Sequence, residues 1–166
     1  MALKCLTVKQ PWAHMIAHCG KTVENRSRPT GHRGLLAIHA GAFSGWDRHA
    51  ESSPVLQDAW QRWAVIPDIC EPGPLSRVNA PIFLAFGAVV AVTEVTGCHF
   101  GPDFGGTCGA TRPMCSPWAV RDFWHWELSN VRSLPEPVPC KGALGLWRLT
   151  EDIEQAVRSQ IQEASS

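Results

Sequence analysis

Three residues in the first quarter of the chain have the types and spacing to act on a charged ligand: Lys21, Glu24 and Arg26. Residues at i and i+2 of a strand point to the same face, so an extended segment places Glu24 and Arg26 side by side. Lys21 follows Gly20, which adopts backbone conformations that other residues avoid. Two cations and an acid close to Trp12 can bind a phosphate group or the polar edge of a base. The alternative interpretation is a solvated strand face with an incidental ion pair.

The same residues are also candidates for catalysis, with Lys21 and Glu24 in the central roles. In RNA cleavage, Lys21 and Arg26 would stabilise charge on the phosphate while Glu24 or His39 removes the 2′-hydroxyl proton. A lysine beside a glutamate can transfer protons when burial lowers its pKa. The competing interpretation is that Glu24 only pairs with the two cations and orients them.

The overall composition limits the class of partner. The chain has 166 residues, which fits one domain, 1–166, with its own hydrophobic core. It carries 15 basic and 15 acidic residues, and its pI is about 7.0. A neutral chain is not a general binder of duplex nucleic acid, although a local basic pocket is compatible with it. Eight Trp residues offer flat surfaces for stacking, but Trp is more often a core residue.

The N-terminus and the apolar runs predict where the protein resides. Met1 to Cys5 lack the long apolar region of a secretory signal. The longest apolar run, Ile82–Val92, is too short to span a membrane. The seven Cys residues are odd in number and have no regular framework spacing. We therefore expect a soluble, cytoplasmic protein with reduced thiols and no membrane partner. The sequence does not specify an oligomeric state.

Four potential metal ligands fall in one segment rich in Gly and Pro: Cys98, His99, Cys108 and Cys115. Thiolates and imidazoles suit zinc, and a metal can order a loop that has no core of its own. However, the chain contains no Cys-x-x-Cys pair, and the spacings Cys-x9-Cys and Cys-x6-Cys are not standard for zinc sites. The prediction is therefore free thiols in a loop that rims the ligand cleft, with no metal and no cofactor.

Hydrophobic periodicity predicts the elements that position these residues. Strands are predicted at 3–8, 22–27, 35–40, 82–95, 122–131 and 145–149. Helices are predicted at Pro11–Cys19, ended by Gly20, from Ser53, and from Thr150, where Ile153, Val157 and Ile161 form a packing stripe. Gly87 predicts a bend within the fourth strand. Segments 67–81, 98–116 and 134–139 are predicted as loops or turns.

Short, bent strands with few helices predict an α+β fold built on a small, partly closed β-barrel. Alternating βαβ units are not apparent. No G-x-G-x-x-G opens a helix, and the tripeptide Gly20-Lys21-Thr22 lacks the upstream glycine of a Walker-type loop. We therefore expect no nucleoside triphosphate site.

Two blocks of sequence resemble the ASCH family, a branch of the PUA-like superfamily. The family signature is a glycine, a lysine and then Glu-x-Arg, which Lys21, Glu24 and Arg26 match; here the lysine follows Gly20 directly, where the family usually has one residue between. The matching segments are 6–13, 20–27 and 33–40 in the first block and 116–119, 125–128 and 137–147 in the second. The second block is similar to bacterial and phage ASCH proteins and to the C-terminal domain of the activating signal cointegrator-1 group. Outside the blocks lie 41–81, predicted as an insertion, and 98–115, which is all but the last residue of the irregular loop predicted at 98–116.

The resemblance implies a PUA-like barrel of five to six strands, with short peripheral helices and a cleft beside the strand that carries Lys21, Glu24 and Arg26. It also implies binding of RNA or other nucleic acid. Some small members of the family hydrolyse acetylated cytidine, and some are reported as ribonucleases. In the amidohydrolase branch the position of Glu24 is a threonine, and this departure argues against that activity here.

The residues themselves favour a pocket for a single strand or a flipped base over a duplex groove, because such a pocket needs few cations and flat stacking surfaces. The predicted ligand-binding residues are the cations Lys21, Arg26 and Arg33, with Lys9 as a further candidate, the acid Glu24, the stacking platforms Trp12 and Trp118, and the hydrogen-bonding groups Gln10, Ser116 and His39. Trp12 is equally compatible with a place in the helix core, and His39 with a structural hydrogen bond.

Three classes of function remain open. The prediction is a module that binds single-stranded RNA or a modified nucleotide. The first alternative is a hydrolase of RNA or of a modified nucleoside in the same cleft. The second alternative is a protein-interaction domain that makes contact through a Trp-rich surface.

Overall fold

A six-stranded mixed sheet forms the framework of the molecule. We analyse it in a computed structural model that describes residues 2–43, 47–63, 84–102, 108 and 114–163. The strands are β1 (Lys4–Val8), β2 (Val23–Arg26), β3 (Gly34–Ala40), β4 (Ala88–Phe100), β5 (Trp124–Pro139) and β6 (Leu146–Arg148); the helices are α1 (Trp12–His18), α2 (Pro54–Trp63) and α3 (Glu151–Glu163), with a short 3-10 helix at Arg48–Ser52. The strand order is β2-β5-β4-β3-β1-β6. The pair β1–β3 is parallel, and the other neighbours are antiparallel.

Irregular pairing accompanies the curl of this sheet into a half-barrel. The register between β4 and β5 shifts three times between Val89 and Gly97, and that between β3 and β4 shifts between Ile38 and His39. Each such bulge increases the local twist and bends the strand. The bend expected at Gly87 is present, with a φ of 63°, but it lies just before β4 rather than within it. The prediction of a small α+β fold with a curled, partly closed sheet is confirmed.

Two apolar clusters pack on the two faces of the sheet. Alternation in β1 divides its residues between them, since Leu6 and Val8 belong to one cluster and Cys5 to the other. Ile16 of α1 closes the first cluster, and the predicted stripe of α3, including Val157, closes the second. Helix α1 therefore lies on the same side of the sheet as Leu6 and Val8.

Helix α1 delivers the chain to the candidate binding residues. It begins at Trp12 and ends at His18, one residue inside each predicted bound, and Pro11 takes the N-cap position rather than a place in the first turn. The N–H groups of Cys19 and Lys21 both donate to Met15 O, at 3.0 and 3.1 Å. Between them Gly20 has a φ of 68°, a left-handed conformation that ends the helix and reverses the chain. This geometry places Lys21 immediately before β2.

Strand β5 is longer than the sequence predicted. The segment 134–139, predicted as a Pro-rich turn, continues the strand, so that prediction is wrong. Strand β2 pairs only with Trp124–Glu127 of β5, so the outer side of 134–139 has no neighbouring strand. On the inner side, no residue of β4 pairs with 134–137, and the register jumps from Ser133 to Val138. The prolines at 135 and 137 therefore lie in a bulge at an edge, where a missing N–H interrupts no ladder bond. Glu136 pairs instead with a side chain of α3: its N–H donates to Gln160 Oε1 at 3.0 Å, and its carbonyl accepts from Gln160 Nε2 at 2.9 Å.

Strand β4 also differs from its predicted bounds. It begins at Ala88, so 84–87 are not strand, and positions 82 and 83 lie outside the described residues. At its other end, Cys98–Phe100 continue the strand and pair with Trp124–Trp126. The start of the segment predicted as an irregular loop is therefore regular sheet. The predicted loop at 67–81 lies outside the described residues.

Candidate functional site

A cleft of about 890 Å³ opens beside β2. Its walls come from α1 and β2, from the segment 117–120 that precedes β5, and from the turn 143–145 that precedes β6. Most of its lining is apolar. Six of the predicted ligand-binding residues line it: Lys9, Trp12, Lys21, Glu24, Arg26 and Trp118.

Lys21 and Glu24 form a buried ion pair in the wall of the cleft. Lys21 is 2% exposed and Glu24 is 6% exposed. Lys21 Nζ donates to Glu24 Oε2 at 2.9 Å and to the Val23 carbonyl. A buried charge without a partner is strongly unfavourable, so each of these residues depends on the other to be tolerated here. The alternative of a solvated strand face does not hold for these two side chains.

Arg26 is the most accessible charge of this row. Its Nη1 lies 3.6 Å from Glu24 Oε1, and its side chain is 31% exposed. Its Cζ lies 6.0 Å from the centroid of the Trp126 ring, a cation–π contact that supports the position of the guanidinium. Because a guanidinium has five N–H donors, one carboxylate contact leaves donors available for a ligand oxygen.

Trp12 is held in the cleft wall by its ring nitrogen. Trp12 Nε1 donates to Asp47 Oδ2 at 2.8 Å. The other oxygen of Asp47 accepts from His49 N at 3.1 Å and so caps the 3-10 helix. Lys21 Nζ lies 5.9 Å from the centroid of the Trp12 ring. Trp12 packs against the core and also lines the cleft, so it combines the two roles that the sequence left open.

The wall formed by 117–120 is clamped to β2 by Asn25. Asn25 Nδ2 donates to Trp118 O at 2.8 Å, and Val120 N donates to Asn25 Oδ1 at 2.9 Å. The side-chain amide of Asn25 thus donates one hydrogen bond to the backbone of this segment and accepts another from it. The clamp fixes the Trp118 backbone relative to the strand that carries Glu24 and Arg26.

Four of the predicted residues lie outside the cleft lining, and each forms a hydrogen bond with another group of the protein. Gln10 is 1% exposed, and its amide bonds two backbone groups. The guanidinium of Arg33 donates to two carbonyls of its own turn. Ser116 Oγ accepts the N–H two residues later and so stabilises a turn. His39 is the fourth residue of this set.

His39 is a structural residue in the described molecule. It is 1% exposed, and its Nε2 lies 3.0 Å from Cys140 O. The ring packs edge-on against Trp147, with 5.7 Å between the ring centroids. A Cβ at Gly142 would lie 2.5 Å from His39 Cε1, so the ring requires glycine there. Burial lowers the pKa of His39, partly opposed by the Cys140 carbonyl. The suggested role of His39 as a base in the cleft has no support from this position.

Several lining residues were not predicted from the sequence: Asn25, Asp47, His49 and Leu144. Asp47 caps the 3-10 helix with its side chain, but its bond to Trp12 joins residues 35 positions apart. Asn25 gave no signal, because its partner Trp118 lies 93 positions away. Such contacts follow from the tertiary fold rather than from local spacing.

A second cluster of reactive side chains lies next to the 117–120 wall. His99, Cys108, Cys115 and His125 each offer one ligand atom, and these atoms lie within 4.8 Å of one another. His99 and His125 are partners in the β4–β5 register. Cys98 is not part of the group, because its Sγ faces a backbone N–H in another turn at 3.4 Å. Of the four potential ligands identified in the sequence, three therefore belong to this group and Cys98 does not, whereas His125 belongs to it without having been among them.

Comparison of the sequence with protein-family models gave no match, and comparison with curated proteins gave none either. The similarity to the ASCH family therefore continues to depend on the motifs quoted above. Among the described helices, none is long and apolar enough to cross a membrane.

Proposed function

We propose that the cleft binds a nucleotide, either within single-stranded RNA or as a free modified nucleotide, and that the fold is a PUA-like barrel of the ASCH type. The observation that carries this proposal is the row of Lys21, Glu24 and Arg26 in one cleft with Trp12 and Trp118. A nucleotide presents a flat base, a polar base edge and an anionic phosphate. The rings and the charged row are complementary to these three features.

The size and lining of the cleft suit a small aromatic ligand. Pockets for small molecules have volumes of about 300–1,000 Å³ and are mostly apolar, with a few polar groups that orient the ligand. The cleft, at about 890 Å³, falls in this range. Stacking of one base on an aromatic side chain contributes about 1–3 kcal/mol. Phe123, 38% exposed, and Leu144, 98% exposed, add apolar surface that a bound base would cover.

The charge of the lining suits one phosphate group rather than a long backbone. Its cations are Lys9, Lys21 and Arg26, and its carboxylates are Glu24 and Asp47. Lys21 is neutralised by Glu24, and Asp47 faces the Trp12 ring nitrogen. Arg26 and Lys9 are therefore the cations best placed to meet a phosphate. This small positive excess agrees with the balanced charge of the whole chain.

Tryptophan fluorescence with short single-stranded RNA, the matching DNA and nucleoside monophosphates tests the proposal. We expect quenching by at least one nucleotide ligand and a loss of affinity of about tenfold or more in Arg26→Gln, since charge-assisted hydrogen bonds contribute about 1.5–3 kcal/mol. Arg33→Gln is the matched control, because Arg33 is exposed and outside the lining. One or two phosphate contacts predict a slope of log K against log salt of about −0.7 to −1.4. No response to any of these ligands, or equal losses in both variants, would overturn the proposal.

A hydrolase acting in the same cleft is the second candidate, and the burial of the Lys21–Glu24 pair favours it. Buried titratable pairs in clefts are typical of sites that transfer protons. In such an enzyme Arg26 would stabilise charge on the phosphate while Glu24 accepts a proton. Gel analysis of the RNA after the binding assay separates the candidates. Cleavage that Glu24→Gln abolishes and Arg33→Gln retains supports the hydrolase, whereas bound but intact RNA supports the binding module alone.

The protein-interaction alternative depends on an exposed Trp surface. The structure describes five Trp side chains, of which Trp126 is buried and the other four are half-buried. The described part of the chain thus offers no exposed Trp patch. This observation favours a ligand inside the cleft over a protein partner on a Trp-rich face.

A further inference from the structure

We propose that His99, Cys108, Cys115 and His125 bind one zinc ion, which holds a wall of the cleft in place. The ligand atoms of these residues lie within 4.8 Å of one another. Two thiolates and two imidazoles form one of the standard ligand sets of structural zinc sites. The proposal reverses the expectation of free thiols, which was based only on the spacing of the ligands along the chain.

The separations between the ligand atoms are close to those of a tetrahedral site. With zinc bonds of about 2.3 Å to sulfur and about 2.0–2.1 Å to nitrogen, tetrahedral geometry requires about 3.4–3.8 Å between neighbouring ligand atoms. Here His125 Nδ1 lies 3.3 Å from Cys108 Sγ and 3.3 Å from Cys115 Sγ. His99 Nε2 lies 2.8 Å from Cys108 Sγ. Shifts of less than about 1 Å between these atoms would accommodate the ion, which is within the range of side-chain rotation.

In each of the two histidines, the ring nitrogen that faces away from the cysteines forms a hydrogen bond, and this bond directs the lone pair of the other nitrogen towards the proposed zinc position. His125 Nε2 lies 2.7 Å from the carbonyl of Val120, which can only accept, so Nε2 carries the proton and Nδ1 is free to bind a metal. His99 Nδ1 lies 2.7 Å from Glu127 Oε1, so this nitrogen donates and Nε2 faces Cys108. A histidine that donates its other N–H to a carboxylate or a carbonyl is characteristic of metal sites. Free thiols alone do not require this arrangement.

The sheet prepares the positions of both histidines. His99 and His125 pair across β4 and β5, so the backbone register fixes their relative placement. Gly101 makes room for the ring of His125: a Cβ there would lie 2.5 Å from both Cε1 and Nε2. Gly97 similarly leaves room for the Glu127 carboxylate that orients His99. A side chain at either glycine would therefore displace the ligand His125 or the carboxylate that orients the ligand His99.

The site is closed, and its role is therefore structural. Four protein ligands complete a tetrahedron, so no coordination position remains for a substrate or a water molecule. Cys108 and His125 are buried, at 6% and 0% exposure. Binding replaces one proton on each thiol with a bond to the metal, and the two protons pass to solvent while both imidazoles stay neutral.

The position of the site links it to the cleft. Cys115 lies two residues before the 117–120 wall, and the carbonyl of Val120, at the other end of that wall, accepts from the ligand His125. The Asn25 clamp holds the same segment at Trp118 and at Val120. Zinc would add an anchor on each side of this wall, through Cys115 before it and His125 after it.

Metal content and cobalt spectroscopy test this proposal. The full chain is purified under reducing conditions without chelator, and its zinc is measured before and after chelator treatment and reloading with zinc or cobalt. We expect roughly one zinc per chain, and a cobalt form with intense visible ligand-field bands of tetrahedral geometry and a thiolate charge-transfer band. Cys108→Ser and Cys115→Ser should bring the stoichiometry near zero, whereas Cys98→Ser, the matched thiol outside the group, should retain it.

Three results would overturn the zinc site. They are wild-type protein that stays metal-free after reloading, cobalt spectra that are octahedral or lack thiolate bands, and metal binding that both cysteine variants retain. The wild-type cobalt spectrum decides the question even where a serine variant fails to fold. A Cys108–Cys115 disulfide in the wild-type protein under reducing conditions would equally exclude the two thiolate ligands.

Discussion

Replacing one partner of the Lys21–Glu24 pair tests the most unusual feature of the cleft. Each change leaves a charge that is 2% or 6% exposed without its main partner, which typically costs about 3–5 kcal/mol. The two losses should be unequal because of Arg26. Lys21→Met leaves Glu24 with Arg26 Nη1 at 3.6 Å, so we expect a loss of about 2–3 kcal/mol. Glu24→Gln leaves Lys21 near a second cation, so we expect about 3–5 kcal/mol.

Urea unfolding followed by Trp fluorescence measures these losses. With an m value of about 2 kcal/mol/M, a loss of 3–5 kcal/mol lowers the midpoint by about 1.5–2.5 M. Arg158→Gln is the control, since the Arg158 side chain is 39% exposed and pairs with Glu154 at 2.8 Å; an exposed pair of this kind contributes about 0–1 kcal/mol. The double variant Lys21→Met with Glu24→Met should recover most of the loss, because it removes both charges from the interior.

Two results would refute this reasoning. A loss below about 1 kcal/mol for Glu24→Gln is the size expected of an exposed ion pair and would mean that the pair is not buried in solution. A double variant that is as unstable as the sum of the single variants would mean that the two charges do not stabilise each other.

Three further changes give independent checks. Burial, and then the charge of His18, lower the pKa of His14 from 6.5 to about 3; because the unfolded chain takes up this proton first as the pH falls, His14 should remove about 2 kcal/mol of stability between pH 7.5 and pH 5. In His14→Gln, the free energy of unfolding measured with urea should no longer show this part of the decrease between pH 7.5 and pH 5. A variant with the same pH profile as the wild type would contradict the prediction. Asn25→Ala removes both bonds to the 117–120 wall, each worth about 1 kcal/mol, so the urea midpoint and the nucleotide affinity should both fall; an unchanged affinity would argue against the clamp. Leu144→Ser should change the free energy of unfolding by no more than about 0.5 kcal/mol, because Leu144 is 98% exposed, but should weaken nucleotide binding in the fluorescence titration; equal binding would remove Leu144 from the site.

Helices and strands whose structure follows from their own local sequence pattern were predictable from the sequence. Alternation in β1 identified the two faces that Leu6 and Cys5 occupy, because the side-chain period of a strand is fixed by its backbone. The helical spacing of Val157 and its neighbours identified the packing face of α3. Gly20 marked the end of α1, because glycine adopts the left-handed conformation at little cost.

Features that depend on contacts between residues far apart in the chain were not predictable in this way. The prolines of 134–139 suggested a turn; β5 tolerates them because β2 is too short to pair there and because 134–137 bulge away from β4. The burial of Lys21 opposes the usual preference of lysine for solvent and depends on the fold around Glu24. The pairing of His125 with His99 requires the β4–β5 register, which local spacing does not reveal. For the same reason the candidate cleft contains Trp118 but not Ser116, two residues earlier.

The open side of β5 affects how copies of this chain can meet. A sheet edge with free N–H groups accepts a strand from another molecule, which is a route to aggregation. Gln160 of α3 occupies both backbone groups of Glu136, so this residue cannot pair with an added strand. Pro135 and Pro137 beside it have no N–H to offer. The strands at the two ends of the described sheet, β2 and β6, are only four and three residues long. On the open side of β5, the described contacts therefore block the edge around Glu136, which shortens the stretch of backbone on which a second chain could add a strand.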